Sequence, residues 1–380
     1  MEKTFVSPLE AGRTEPVGSF KIQVAQSLEA FSGLWPRTGQ IAPCCYALQC
    51  ADVLQVWCNT IGKVRGTEPL FVAVFDDSGR PMLLLPLGIE SRRGLRILRF
   101  LDGTVCDYNA PVIFEPMRRW DRNAVMRMWD ALIRALPRFD IAVFEKMPSD
   151  IYGVPNPFIW LDATPYRASG HLLKITGSWE NYANTQLPFK RESIIQRRRL
   201  EKLGRLTFMV ADNSVERGRV AQAMLSQKSQ RFVETRGANP IDRGIAQFYT
   251  EMTERFAGSE SLIVAALKID NQILSTNWGL VSNGDFLGLV TSFAGGEWKR
   301  FSTGRLLLED LLKWAFASGI KTFDFGIGDE TYKTGYCNQS VLVYQAELPV
   351  TLIGKFHCSK IGKFLTRASA YAARKLRIKT

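Results

Sequence analysis

A chain of 380 residues is too long for one ordinary core and predicts two lobes of roughly 150 to 190 residues each. Its 46% hydrophobic and 23% charged residues suit a globular fold, no apolar run approaches the roughly 20 residues that span a bilayer, and Glu2, Glu10 and Glu15 exclude the basic-then-apolar layout of a secretory signal, so a cytoplasmic protein is expected. The net charge of +12 is local: seven Lys/Arg stand against Glu192 and Glu201 between Lys190 and Arg205, and eight Lys/Arg stand without an acid from Thr351 onward.

In chain order, a short strand near Phe20 to Val24 and a short helix from Ser27 precede a longer helix from about Pro43 to Ile61. A meander follows: Pro69 to Phe75, Met82 to Ile89 and Leu95 to Leu101, separated by turns at Asp76 to Gly79 and Arg93-Gly94. A helix from Asp121 to Leu136 leads to a strand at Ile141 to Glu145, and the proline-rich stretch Met147 to Arg167 reads as a junction. The order then repeats. A strand at Leu172 to Thr176 and a cap at Ser178 precede a basic helix from Phe189 to Leu203 that stops at Gly204. A strand at Leu206 to Ala211, helices at Val215 to Phe232 and Ile241 to Phe256, and a second meander come next (Leu262 to Ile269, Ile273 to Val281, Phe286 to Ser292). A helix from Gly304 to Ser318 and a strand at Lys321 to Phe325 close it. Meander, crossover helix and strand predict an α/β fold with a mixed sheet in each of two tandem lobes. Their bounds are 1–150 and 165–350, with 351–380 as a basic amphipathic tail.

Seven cysteines without a CxxC pair, and only His171 and His357 beside them, give no metal-site pattern, and the odd count fits reduced thiols. Cys44, Cys45, Cys50 and Cys58 fall on the helix predicted from Pro43, where Cys50, Val53, Leu54, Trp57 and Ile61 keep helical spacing. With two histidines and no G-x-S-x-G, a serine triad has no support.

The stretch from Phe301 to Lys333 is the most informative. Ser302, Gly304, Leu307, Gly319, Phe323, Asp324, Phe325, Gly326, Gly328, Asp329, Glu330, Tyr332 and Lys333 match the pattern S-P-G-x-x-L, helix, G-x-x-x-F-D-F-G-x-G-D-E-x-Y-K. Thr303 stands where proline is usual. The segment resembles the CelD-like acetyltransferases associated with cellulose and exopolysaccharide biosynthesis, GNAT relatives akin to Fem-type peptidyl transferases. Ser178-Trp179, Phe189 to Arg191 and Leu200 to Gly204 extend the resemblance; Pro81 to Leu87 and Asp107-Tyr108-Asn109 resemble the family's preceding lobe.

The resemblance implies two tandem GNAT-like lobes, the first degenerate, with acyl-CoA wedged between the splayed strands Phe286 to Ser292 and Lys321 to Phe325. The intervening loop, with Arg300, Ser302, Thr303, Gly304 and Arg305, would take the pyrophosphate at a helix N-terminus. Direct acyl transfer needs a base, oxyanion donors and an acid, and Asp324, Asp329, Tyr332 and Lys333 offer carboxylates, a phenol and a cation. Asp107, Tyr108 and Asn109 would face a sugar acceptor, and Trp278, Trp298 and Trp314 are candidates for stacking on it.

The expected activity is transfer from acyl-CoA, foremost acetyl-CoA, to an amine or hydroxyl of a cell-envelope sugar or polysaccharide precursor, without a metal. Fem-like transfer from aminoacyl-tRNA and a non-catalytic scaffold of a polysaccharide synthase are the alternatives. Nucleic acid enters only as tRNA in the first of these. On the basic helix, Arg191, Arg198, Lys202 and Arg205 fall on one side and Phe189, Leu200 and Leu203 on the other. The tail mixes its cations with Ile361, Phe364, Leu365, Tyr371 and Leu376, a composition suited to an anionic membrane surface at the inner face of the membrane.

Overall fold

A computed structural model describes residues 19–39, 44–114, 120–237 and 239–359. The tail beyond 359, on which the membrane reading of the C-terminus rests, lies outside the described residues. In the first half, β1 (Lys21–Ala25), β2 (Glu68–Phe75), β3 (Pro81–Arg92) and β4 (Leu95–Phe100) form an antiparallel meander, and α2 (Arg122–Ala135) crosses over to β5 (Ile141–Pro148). Leu70 to Val74 and Met82 to Ile89 are buried throughout, because both faces of this sheet are covered. The helix expected from Pro43 is shorter: α1 spans Ala51–Trp57 and continues through a π turn, Cys58–Gly62. Cys44 instead pairs with Ile113 in a β-bridge, so the four cysteines do not share a helix.

The second half contains β6 (Gly170–Lys174), α3 (Trp179–Thr185), α4 (Lys190–Glu201), β7 (Leu206–Val210), α5 (Ser214–Arg236) and α6 (Arg243–Arg255). The meander β8 (Leu262–Ile269), β9 (Gln272–Ser282) and β10 (Asp285–Phe293) follows, then α7 (Thr303–Ala317), β11 (Thr322–Ile327), α8 (Thr331–Tyr336), β12 (Gln339–Val341), β13 (Val343–Pro349) and α9 (Leu352–Cys358). The Asn283-Gly284 turn between β9 and β10 has both residues at positive φ (54° and 82°), the geometry of a tight two-residue hairpin.

One strand crosses between the two expected lobes. The first sheet runs β1-β2-β3-β4-β5-β13, ending on Thr164–Pro165, and the second β7-β8-β9-β10-β11-β6-β12. β6 lies antiparallel to β11 within the second sheet, whereas β13, counted with the second lobe, lies antiparallel to β5 in the first. The counterpart of β1 is therefore β7, not the strand near Leu172. Element order cannot reveal this, because backbone pairing across a sheet edge leaves no local pattern.

One hydrophobic cluster joins the halves, with Leu54, Trp57 and Phe71 packed in it beside Val220, Phe248 and Trp278. Trp278 is fully buried and donates its indole N–H to Thr253 Oγ1 at 3.0 Å. It is core, not a sugar platform; Trp314, edge-on to Phe286, and Trp298, against Phe301, are also packed inward. Trp278→Ala is expected to cost about 3–5 kcal/mol by urea unfolding. With a shared core the two halves should melt in one transition, and two separated transitions would contradict the joint cluster.

Candidate active site

β10 and β11 are parallel neighbours for only three residues, Asp285–Thr322, Phe286–Phe323 and Leu287–Asp324. Beyond that point β10 continues to Phe293 against β9 alone. Gly279 faces Gly288 and Trp278 faces Val290, so Leu289 is an extra residue on β10, and such a bulge bends a strand and raises its twist. The strands part at Asp324, and among the described residues no strand pairs with Gly288 to Phe293 of β10 on the β11 side.

The first lobe has the same parting after Leu98–Ala142, but it is filled from within. Asn109 donates its backbone N–H to Lys146 O at 2.9 Å and its side-chain amide to Glu145 O at 3.0 Å. Lys146 reaches back to Asp102 at 2.6 Å and to the carbonyl of Cys106. Asn109, expected to contact an acceptor, is buried and serves as this anchor.

At the mouth of the open crevice stands the start of α7. Ser302 is left-handed (φ 53°) and its hydroxyl makes no cap bond, so among the described residues no side chain occupies the first N–H groups of the helix. Thr303 is buried and structural, its hydroxyl on Leu274 O at 3.4 Å and its carbonyl taking the Ser275 hydroxyl. A Cβ on Gly304 would lie 3.2 Å from the Phe293 ring, so a larger residue there crowds the end of β10. Arg300 is exposed and stacks on Phe301, while the Arg305 guanidinium sits 5.2 Å from the Phe189 ring centroid. Helix α5, expected at Val215 to Phe232, also reaches this strand end, a contact its own periodicity does not mark: Lys228 donates to Thr291 O at 3.2 Å, and Arg231 lies over Phe293 at 5.7 Å, bringing positive charge there.

Asp324 sits where the strands separate. Its Oδ1 accepts from Gly326 N–H at 2.7 Å and Tyr108 OH at 3.1 Å, while Oδ2 takes no hydrogen bond among the described residues. Burial, with the nearby charges of Asp107 and Asp285, pushes its carboxyl up to about 7 despite those donors. Tyr108 is buried and its phenol is held protonated by burial and by the Asp324 charge. Burial likewise raises Asp107, to about 6, against the opposing charges of Lys146 and Lys333 and an N–H from Ile327. Gly326 has φ 72°, and a Cβ there would run into the Asp107 carboxylate. The first lobe's Asp107 and Tyr108 are thus brought onto Asp324 across 216 residues of chain. A small cavity of about 30 Å³ adjoins Asp324, lined also by Tyr46, Tyr152, Ser282, Asp285 and Leu287. Tyr46, Tyr152 and Asp285 stand in no local pattern that marks them for the site.

The other motif residues hold the end of β11. Lys333 is 3% exposed; its ammonium bonds Ile327 O at 3.2 Å, Gly326 O at 3.4 Å and Glu330 at 3.0 Å. Asp329 accepts from Ser169 N–H at 3.2 Å and pairs with His171 at 3.0 Å, which holds its carboxyl below the usual range and ties β6 to the loop after β11. Tyr332 is half-exposed on α8. Asp324 and Asp107 therefore form the centre, and Lys333 and Asp329 the frame around it.

Residues 190–334 match the family described as an acetyltransferase (GNAT) domain. No curated protein matches the chain in sequence. Among solved structures, FemX superposes with a TM-score of 0.54 at 11% identity, over 80% of this chain and 93% of that one. The C-terminal domain of a lysylphosphatidylglycerol synthetase from Agrobacterium fabrum gives 0.46 at 11% identity, over 80% and 94%. A tandem GNAT protein from the clavulanic acid biosynthesis pathway gives 0.45 at 11% identity, over 88% and 100%. The fold is a mixed α/β one with two mixed sheets, and the second half carries the region that matches an acetyltransferase (GNAT) domain. Among the described residues no helix is long and apolar enough to cross a membrane.

Proposed function

We propose that the second lobe moves an acyl group from acyl-CoA, foremost acetyl-CoA, to an amine or hydroxyl of a cell-envelope sugar or polysaccharide precursor. The observation that carries this reading is the parting of β10 from β11 at Asp324, beside a helix N-terminus that no side chain caps. The uncapped N–H groups of α7 suit a pyrophosphate, and the free edge of β10 suits the amides of a pantetheine arm. The CelD-like pattern from Ser302 to Lys333 supports the polysaccharide setting.

The acceptor's N–H or O–H gives its proton to Asp324 Oδ2 as its lone pair forms a bond to the thioester carbon. The carbonyl π pair moves onto oxygen, where N–H groups on the β10 edge receive it. As the carbonyl re-forms, the C–S bond breaks and its electron pair leaves with the CoA sulfur, which takes a proton, a role that Tyr332 is assigned. Tyr108 and Gly326 N–H keep Oδ1 occupied, so Oδ2 is the atom left to act as base.

Thiol release from acetyl-CoA in the presence of amino sugars and polysaccharide fragments tests the activity. Turnover only with an aminoacyl-tRNA donor would select the Fem-like alternative, and binding without turnover of any donor the scaffold. Gly304→Val is expected to weaken acetyl-CoA binding by about tenfold in calorimetry, through its contact with Phe293 and the crowded phosphate site. Unchanged affinity would remove this loop from the donor site.

A further inference from the structure

Helix α4 is amphipathic the wrong way round for a helix facing water. Its inward face is polar: Ser193 bonds Glu309 of α7, and Arg197 pairs with Asp310 at 2.9 Å and donates to Leu306 O at 3.0 Å, with Leu200 the one buried aliphatic residue. Its outward face carries Ile194 at 44% and Ile195 at 41% exposure, framed by exposed Lys190, Arg191, Arg198, Arg199 and Lys202. Positions 191, 194, 195, 198 and 202 follow helical spacing and form one stripe. Phe189 and Leu203, expected on the buried side, are 50% and 54% exposed at the two ends of the helix. A shallow groove of about 500 Å³ runs over Lys190, Arg191, Ile194, Ile195 and Arg198.

We propose that this outward face of α4 docks the protein on an anionic lipid surface. The cations alone would suit any polyanion, but paired isoleucines between arginines add nothing to phosphate binding and offer a base no ring on which to stack. At a bilayer interface the same pattern is favourable: aliphatic side chains enter the headgroup boundary while long basic side chains reach the anionic groups. The charge is free for this role, since Arg191, Arg198, Arg199 and Lys202 make no ion pair among the described residues. The face also adjoins the donor site, because α4 packs on α7 and Phe189 carries the Arg305 guanidinium. Docking would hold the α7 end of the crevice against the membrane.

Flotation of the full chain with vesicles of phosphatidylcholine, with and without phosphatidylglycerol, tests the proposal without any need for catalysis. Binding is expected only with the anionic lipid, falling as salt is raised. The pair Ile194→Ser/Ile195→Ser and the pair Arg191→Glu/Arg198→Glu should each lower it by about tenfold or more, and Arg191→Lys/Arg198→Lys should retain it. All are exposed positions, so an unchanged thermal melt is expected and excludes misfolding as the cause. No binding by the unaltered chain, or binding by both disruptive pairs that equals the unaltered chain's, would overturn the assignment. So would vesicle binding that is untouched while the same substitutions abolish binding to RNA.

Discussion

Asp324→Asn should lower acyl transfer by about a hundredfold or more at pH 8 and at the same time make the protein more stable there. Both effects come from one position. Asn can still accept from Gly326 N–H and Tyr108 OH through its single carbonyl oxygen, so the geometry survives while the proton acceptor is lost. The folded carboxyl lies at about 7 against an ordinary value of 3.8. Below the ordinary value both folded and unfolded forms hold the proton, and the charge costs nothing. Between the two values the unfolded chain has released a proton that the folded chain keeps, so stability falls as pH rises. Above about 7 the folded protein carries the buried charge at full cost, at most about 4 kcal/mol. Urea unfolding of the two proteins should therefore diverge from pH 4 upward, with the variant the more stable. The kcat/KM of the unaltered enzyme should rise with a midpoint near 7, a step absent from the variant's residual rate. Full activity in Asp324→Asn would remove it as the base.

Lys333→Ala is expected to act in the opposite sense on stability. The lysine is as tightly buried as Asp324, but its ammonium is satisfied by two carbonyls and Glu330, and removing it takes a buried donor from Gly326 O and Ile327 O. A loss of about 2–3 kcal/mol follows, less than for a fully buried ion pair because Glu330 is more than half exposed and regains water. Activity should fall with it, since the Gly326–Ile327 segment that holds Asp107 loosens. The signature of a positioning role is that kcat falls while the pH midpoint set by Asp324 stays near 7. A variant that keeps full stability and loses only turnover would instead make Lys333 a direct participant.

Much of the fold was legible in local chemistry. Turn residues and apolar runs located the strands of both meanders, and the β10–α7–β11 segment follows from its amphipathic helix and its Phe-Asp-Phe-Gly strand. What local pattern does not encode is pairing between distant edges. The pairing of β13 with β5 of the first sheet is such a case, since that strand could add to any free edge. Within the site, Asp324 and the Ser302–Gly304 helix start were readable from the motif, as were Asp107 and Tyr108 as partners of the cleft. Their roles were not. Whether Lys333 is a cation facing substrate or a strut under a turn depends on where Gly326 and Ile327 turn their carbonyls. Asn109 reads as a polar contact until the first lobe's own crevice is seen to be filled by it. Phe189 and Leu203 mislead because helical periodicity identifies two faces without saying which one the protein covers.

The central claim is that the second lobe's crevice, and not the filled one of the first, receives a thioester donor. A crystal structure with a non-hydrolysable acetyl-CoA analogue tests it most directly. The pantetheine arm should lie along Gly288 to Phe293 with the pyrophosphate at the N–H groups of Thr303 and Gly304 and the acyl carbon beside Asp324 Oδ2. An analogue bound elsewhere, or β10 and β11 found closed over it, would contradict the account.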